Sequence, residues 1–104
     1  MGADPVLSYA ALFVLQAVAR GHRFGFDIMD VTGLPSGTVY PALRRLETSG
    51  FVASDWENDR KARRQQRPRR RYYELTPAGR RQLANAEARF RAVQRLFPAR
   101  AGRS

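Results

Sequence analysis

The sequence predicts a mainly helical α+β fold: three helices, then a two-stranded hairpin, then a long closing helix. Three observations carry this. Apolar residues recur with helical spacing near both ends, a Thr32-Gly33-Leu34-Pro35 turn separates two short helical patterns, and two β-rich segments flank a run of arginines. At 104 residues with 43% hydrophobic content, the chain has material for one modest core.

The first helix is expected from Pro5 to Arg20, ending at Gly21. Of the 14 residues from Val6 to Ala19, 12 are apolar or aromatic, so the helix needs cover on more than one face. Phe24 to Val31 reads as a second helix, with Ile28, Met29 and Val31 toward the core and Asp27 and Asp30 toward water. A third runs from about Ser36 or Thr38 to Ser49, where Val39, Leu43 and Leu46 share a face and Gly50 occupies a left-handed exit. Proline is tolerated best in a first turn, so Thr38 is the expected N-cap, with Pro41 at the third helical position.

Phe51 to Glu57 and Arg71 to Leu75 read as strands, and Asn58 to Arg70 as a hairpin tip loaded with positive charge. Trp56 is expected to pack in the core beneath this hairpin. Thr76 and Pro77 supply the cap and first residue of a last helix reaching Phe97, with a frayed tail at 98–104. Along it Leu83, Ala86, Phe90, Val93 and Phe97 form a seam, and Leu7, Ala11, Val14 and Val18 repeat similarly on the first helix. Taken alone, the stripe on the last helix could equally dock on its own domain; together with the over-apolar first helix it predicts an intersubunit layer and a homodimer. Residues 5–75 are then the ligand-contacting domain, and 76–97 the dimerisation helix.

Net charge is +10, from 19 basic and 9 acidic residues. Eight of the basic residues lie between Arg60 and Arg71, where there is no acid, so the remainder of the chain is nearly neutral. An anionic partner follows from the clustering. With no cysteine and a single histidine, His22, which belongs to a loop, neither a disulfide framework nor a zinc site is available. Asp55, Glu57 and Asp59 adjoin the basic run and balance its charge, and neither a Gly-rich phosphate loop nor a nucleophile paired to His22 is present, so no metal, cofactor or enzyme is expected. The apolar stretch at Val6–Ala19 is too short to span a bilayer, and Asp4 sits where a signal peptide carries Lys or Arg, so the expected compartment is the cytoplasm.

The order of elements is that of a winged helix-turn-helix. Residues 24–28 (FGFDI), 36–47 (SGTVYPALRRLE), 50–52 (GFV) and 67–79 (RPRRRYYELTPAG) make the chain resemble the PadR family of transcriptional regulators, over most of residues 5–97. The single helix after the wing is similar to a small PadR subgroup that dimerises through its first and last helices. Gln65 and Gln66 stand where such proteins usually carry glycine, and Glu74 where a basic residue is frequent.

The resemblance implies a homodimeric repressor on a palindromic double-stranded DNA operator, released by a small aromatic ligand between the subunits. In that arrangement the third helix enters the major groove, making Thr38, Tyr40, Pro41 and Arg44 candidates for the DNA face, with Ser36 and Gly37 offering backbone donors to a phosphate. The alternatives are a Tyr40 packed inside, and Arg44 or Arg45 as ordinary surface charges. On the wing, Arg67, Arg69 and Arg70 are the first candidates, and Lys61, Arg63 and Arg64 a looser phosphate-contacting set. Tyr9, Phe13, Phe90 and Phe97 are candidates to line an effector pocket, or equally to fill a core. A nonspecific architectural DNA- or RNA-binding protein, and a module whose arginine loop binds an acidic protein, are the competing classes.

Overall fold

The structure is a computed structural model and describes residues 7–96. Helix α1 (Tyr9–Ala19) begins where the Ser8 hydroxyl accepts the Ala11 N–H at 3.1 Å. It is the hub of the fold, packed against α2 (Gly25–Thr32), α3 (Ser36–Thr48), β2 (Arg71–Leu75) and α5 (Pro77–Gln94). Its own domain therefore supplies most of the cover that the nearly all-round apolar sequence demanded, leaving Tyr9 and Phe13 exposed. Ala11, Val14 and Val18, expected at a dimer interface, are instead buried in this core, as are Leu83 and Ala86 of α5. Periodicity identified the face correctly but not the partner, because a seam looks the same whether its mate comes from the same chain or another.

The turn between α2 and α3 follows the sequence closely. Gly33 takes the left-handed conformation (φ +73°) and its N–H reaches the Met29 carbonyl at 2.9 Å. Helix α3, however, begins at Ser36, capped by Pro35, so Thr38 is its third residue rather than its N-cap and Pro41 its sixth. The Pro35 carbonyl already accepts from both Thr38 and Val39, at 2.9 and 3.0 Å. Pro41 removes the donor that the Gly37 carbonyl would otherwise take four residues on, and Gly37 is exposed, so water can serve it and the proline is tolerated.

Strands β1 (Val52–Trp56) and β2 pair antiparallel from Val52↔Leu75 to Trp56↔Arg71. The basic tip between them is not a simple loop. It contains a short helix, α4 (Asp59–Arg64), whose first N–H groups at Arg60 and Lys61 are accepted by the Asn58 side chain at 2.7 and 3.4 Å. Arginine, lysine and alanine are good helix formers, and Asn58 with Asp59 supplies the start, so RKARR coils rather than staying extended. The chain leaves α4 through Gln66 at φ +54°, a left-handed position that glycine occupies more readily. The wing is tied back to the domain by a Phe24↔Tyr72 bridge and by the Tyr73 N–H on the Arg23 carbonyl, 2.9 Å.

Helix α5 is seated by Thr76, whose hydroxyl accepts from Gly79 N–H at 3.0 Å and donates to the Gly50 carbonyl at 2.6 Å. A Cβ on Gly79 would come to 1.9 Å from the Phe51 carbonyl oxygen, so glycine sets how closely α5 approaches the start of β1. Gln16 of α1 donates to Glu87 of α5 at 3.1 Å. The predicted end at Phe97 and the tail at 98–104 lie outside the described residues.

Candidate nucleic-acid interface

Helix α3 buries Val39, Ala42, Leu43 and Leu46, which leaves Ser36, Gly37, Tyr40 and Arg44 exposed, with Thr38 and Pro41 half-buried beside them. Tyr40 is 41% exposed, yet its ring lies against the start of α2: a Cβ on Gly25 would meet its hydroxyl oxygen at 2.3 Å. Gly25 thus gives the phenol a backbone to rest on while its outer edge stays in water. This is neither the fully packed tyrosine nor the free one that the sequence left open.

The wing faces the same side of α3. The Ser54 hydroxyl donates to Glu47 at 2.6 Å, Arg71 Nε donates to the Ser54 oxygen at 2.9 Å, and the Arg71 guanidinium lies 3.5 Å from Glu47. Tyr73, opposite Ser54 in the ladder, has its phenol pushed above its ordinary value of 10.0 by burial, and it feels the charges of Arg71, Glu47 and Arg44. Tyr40, Arg44, Glu47 and Arg71 thus gather around Tyr73, in the cleft where helix and wing meet. Arg71 was not among the candidates, although its place opposite Trp56 in the strand register is the signal that marks it.

Trp56 contradicts its expected place in the core: it is 48% exposed, with Arg69 and Arg71 over its ring at 5.6 and 5.5 Å. Val52, Ser54 and Trp56 share one face of β1, but only Val52 reaches the core, because the strand runs outward beyond it. The ring instead holds guanidiniums by cation–π attraction.

The arginine run divides into two sets. Arg67 and Arg70, expected to reach DNA, turn inward onto the buried carboxylate of Glu57. Arg67 donates from both terminal nitrogens, the second at 3.1 Å to Oε2, and Arg70 adds its backbone N–H at 3.0 Å. The Arg70 guanidinium stacks on Phe24 at 4.1 Å. The Arg67 hydrogen bond, opposed by desolvation and aided by Arg70, lowers the Glu57 pKa to about 2. A buried carboxylate requires such partners, which is why the acid expected merely to balance charge organises the wing instead. Arg60, Lys61, Arg63, Arg64 and Arg69 remain exposed, Arg63 sharing its charge with Asp59 at 2.7 Å.

At the opposite end Tyr9, Phe13 and Phe90 come together as expected, with Phe90 edge-on to the other two at 5.3 and 6.4 Å. Leu7, Tyr9, Leu12, Ala86, Phe90 and Val93 line a groove of about 380 Å³ beside them. Phe97 lies outside the described residues. Among the described residues no helix is long and apolar enough to cross a membrane.

Residues 14–85 match the model of the transcriptional regulator PadR-like family, a span that runs from α1 through the wing into α5. The chain belongs to this family. A PadR family transcription regulator from Clostridium difficile R20291 is similar in structure, with a TM-score of 0.75 at 23% identity over 86% of this chain and 95% of that one. A PadR-like transcription factor from Bacteroides fragilis gives 0.70 at 22% identity, covering 85% of each chain. A PadR family regulator from Eggerthella lenta gives 0.62 at 26% identity, over 83% of this chain and 81% of that one. No match was found among curated proteins. This PadR-like protein is accordingly a DNA-binding transcriptional regulator with a winged-helix fold.

Proposed function

We propose that this PadR-like protein is a cytoplasmic repressor that binds a palindromic operator as a homodimer. The observation that carries the DNA-facing assignment is the bridge from Arg71 through Ser54 to Glu47, which holds the wing at a set offset from the exposed face of α3. A duplex seated in that cleft meets Tyr40 and Arg44 in its major groove and the wing along its backbone. Ser36, Gly37, Thr38 and Pro41 complete the helix contribution, and Lys61, Arg63, Arg64 and Arg69 the phosphate contacts. Arg67 and Arg70 act one step back, by fixing the base of the wing.

Dimerisation is supported by the exposed aromatic surface of Tyr9 and Phe13 with half-buried Leu7, Phe90 and Val93, on the side where α1 meets α5. A small aromatic effector entering the adjoining groove would change how two subunits meet, and so the spacing of their α3 helices. Footprinting of the full chain on its own promoter region, in excess nonspecific competitor, tests the reading. The expected result is a protected palindrome with half-sites about 34 Å apart. Binding lost uniformly under competitor would favour a nonspecific architectural role, and no retardation of any duplex would overturn DNA binding altogether.

A further inference from the structure

Trp56 is the one tryptophan of the chain, and the winged-helix core makes no use of its exposed ring. Its surroundings are specific. The guanidiniums of Arg69 and Arg71 lie over it at 5.6 and 5.5 Å, two like charges drawn to one aromatic surface. Glu47 offsets the charge of Arg71 at 3.5 Å, whereas Arg69 has no ion pair among the described residues, so the pair together still favours an anion beside the ring. Trp56 also walls an open, mostly polar hollow of about 900 Å³ shared by Glu57, Asn58, Asp59, Arg60, Arg63, Arg64 and Arg69. Glu57 is already taken by Arg67 and Arg70 and Asp59 by Arg63, so that the charge left over is positive. A single exposed indole in a surround of net positive charge complements a sugar–phosphate strand, which offers apolar sugar faces between anionic groups. Through Arg71, Ser54 and Glu47 the indole keeps a set distance from α3.

We propose that Trp56 is a DNA-contacting residue: its indole packs on a deoxyribose of the strand bordering the groove that α3 enters, while Arg69 and Arg71 take the flanking phosphates. The inference rests on the DNA-binding reading above and adds to it an uncharged contact that sets the register of helix and wing on the duplex. A contact of this kind binds through shape, so its loss weakens binding without altering the number of counterions displaced.

The test uses the full chain and a short duplex that the protein itself selects from a random-sequence pool. As duplex is added, Trp56 emission shifts and becomes protected from acrylamide, in step with retardation on a gel. Trp56→Ala weakens binding about tenfold, the scale of one lost aromatic contact, with an unchanged thermal midpoint and salt slope, while Trp56→Phe restores most of the affinity. Arg69→Gln lowers the salt slope by about one. Unchanged emission and quenching at saturating duplex, or Trp56→Ala binding as wild type, would overturn the inference and leave DNA binding intact. Stronger protection by single strands than by duplex would overturn it in favour of base stacking. Failure of wild type to retard any duplex would remove both readings.

Discussion

Two ends of this molecule expose aromatic rings, and they treat them differently. At the α1–α5 end Tyr9, Phe13 and Phe90 touch one another, 5.3 to 6.5 Å between centroids, beside a mostly apolar groove. At the other end Trp56 of the wing lies beneath Arg69 and Arg71 at 5.6 and 5.5 Å, while Phe24 and Phe26 at the start of α2 lie beneath Arg70, the arginine turned to Glu57, at 4.1 and 5.4 Å. Rings that contact only rings gain by excluding water with more apolar surface, whereas rings that hold guanidiniums present charge at a defined height above the surface. On the proposed reading, the same residue class serves a second subunit at one end and a polyanion at the other.

The comparison breaks most visibly if a charge is placed at the apolar end. Tyr9 is 51% exposed in the monomer, so Tyr9→Glu leaves the domain folded but puts a carboxylate into the proposed intersubunit layer. The expected outcome is a monomer by sedimentation, with operator affinity lower by about 10²-fold or more, because the second half-site no longer binds at high effective concentration. A Tyr9→Glu protein that remains dimeric with unaltered affinity would move the interface elsewhere.

A smaller effect separates the inner wing arginines from the outer ones. Glu57 has a folded pKa of about 2 against an ordinary 4.5, so its contribution to stability is fully present above about pH 4.5 and is lost as pH falls toward 2. Glu57→Gln cannot make that contribution. Its thermal midpoint is expected below wild type at neutral pH, with the gap closing as both are acidified through that window. Midpoints that stay parallel from neutral pH down to 2 would mean that the carboxylate does not hold the wing.

The extent to which the sequence disclosed all this differs between the ends for physical reasons. Local chemistry was readable: the Gly33 turn, the Thr76 cap with Pro77 behind it, and the two strands all depend on residues a few positions apart. Relations at longer range were not. The pairing of Glu57 with Arg67 and Arg70 needs the chain to double back through α4, and a run of like charges does not reveal which members turn inward. Trp56 was misplaced because strand alternation gives a side but not the point at which the strand leaves the core. On α1 the apolar stripe was evident, but its burial by four elements of its own domain followed only from the assembled packing.

The finest distinction lies within the wing itself, between charges spent on folding and charges left for a ligand. Arg67 has a side chain only 21% exposed and bonds both oxygens of Glu57, whereas Arg64 is exposed on α4. Arg64→Gln is expected to lower the slope of log affinity against log salt by about one while changing stability by less than about 0.5 kcal/mol. Arg67→Gln should do the reverse, lowering the thermal midpoint because it strands a buried carboxylate, with little change in slope because its charge is already neutralised at short range. Salt titrations of both variants on one duplex, beside their melting curves, measure the contrast. Equal slopes for the two would mean that Arg67 leaves Glu57 when DNA arrives, and the wing would then be a structure that rearranges on binding rather than one built in advance.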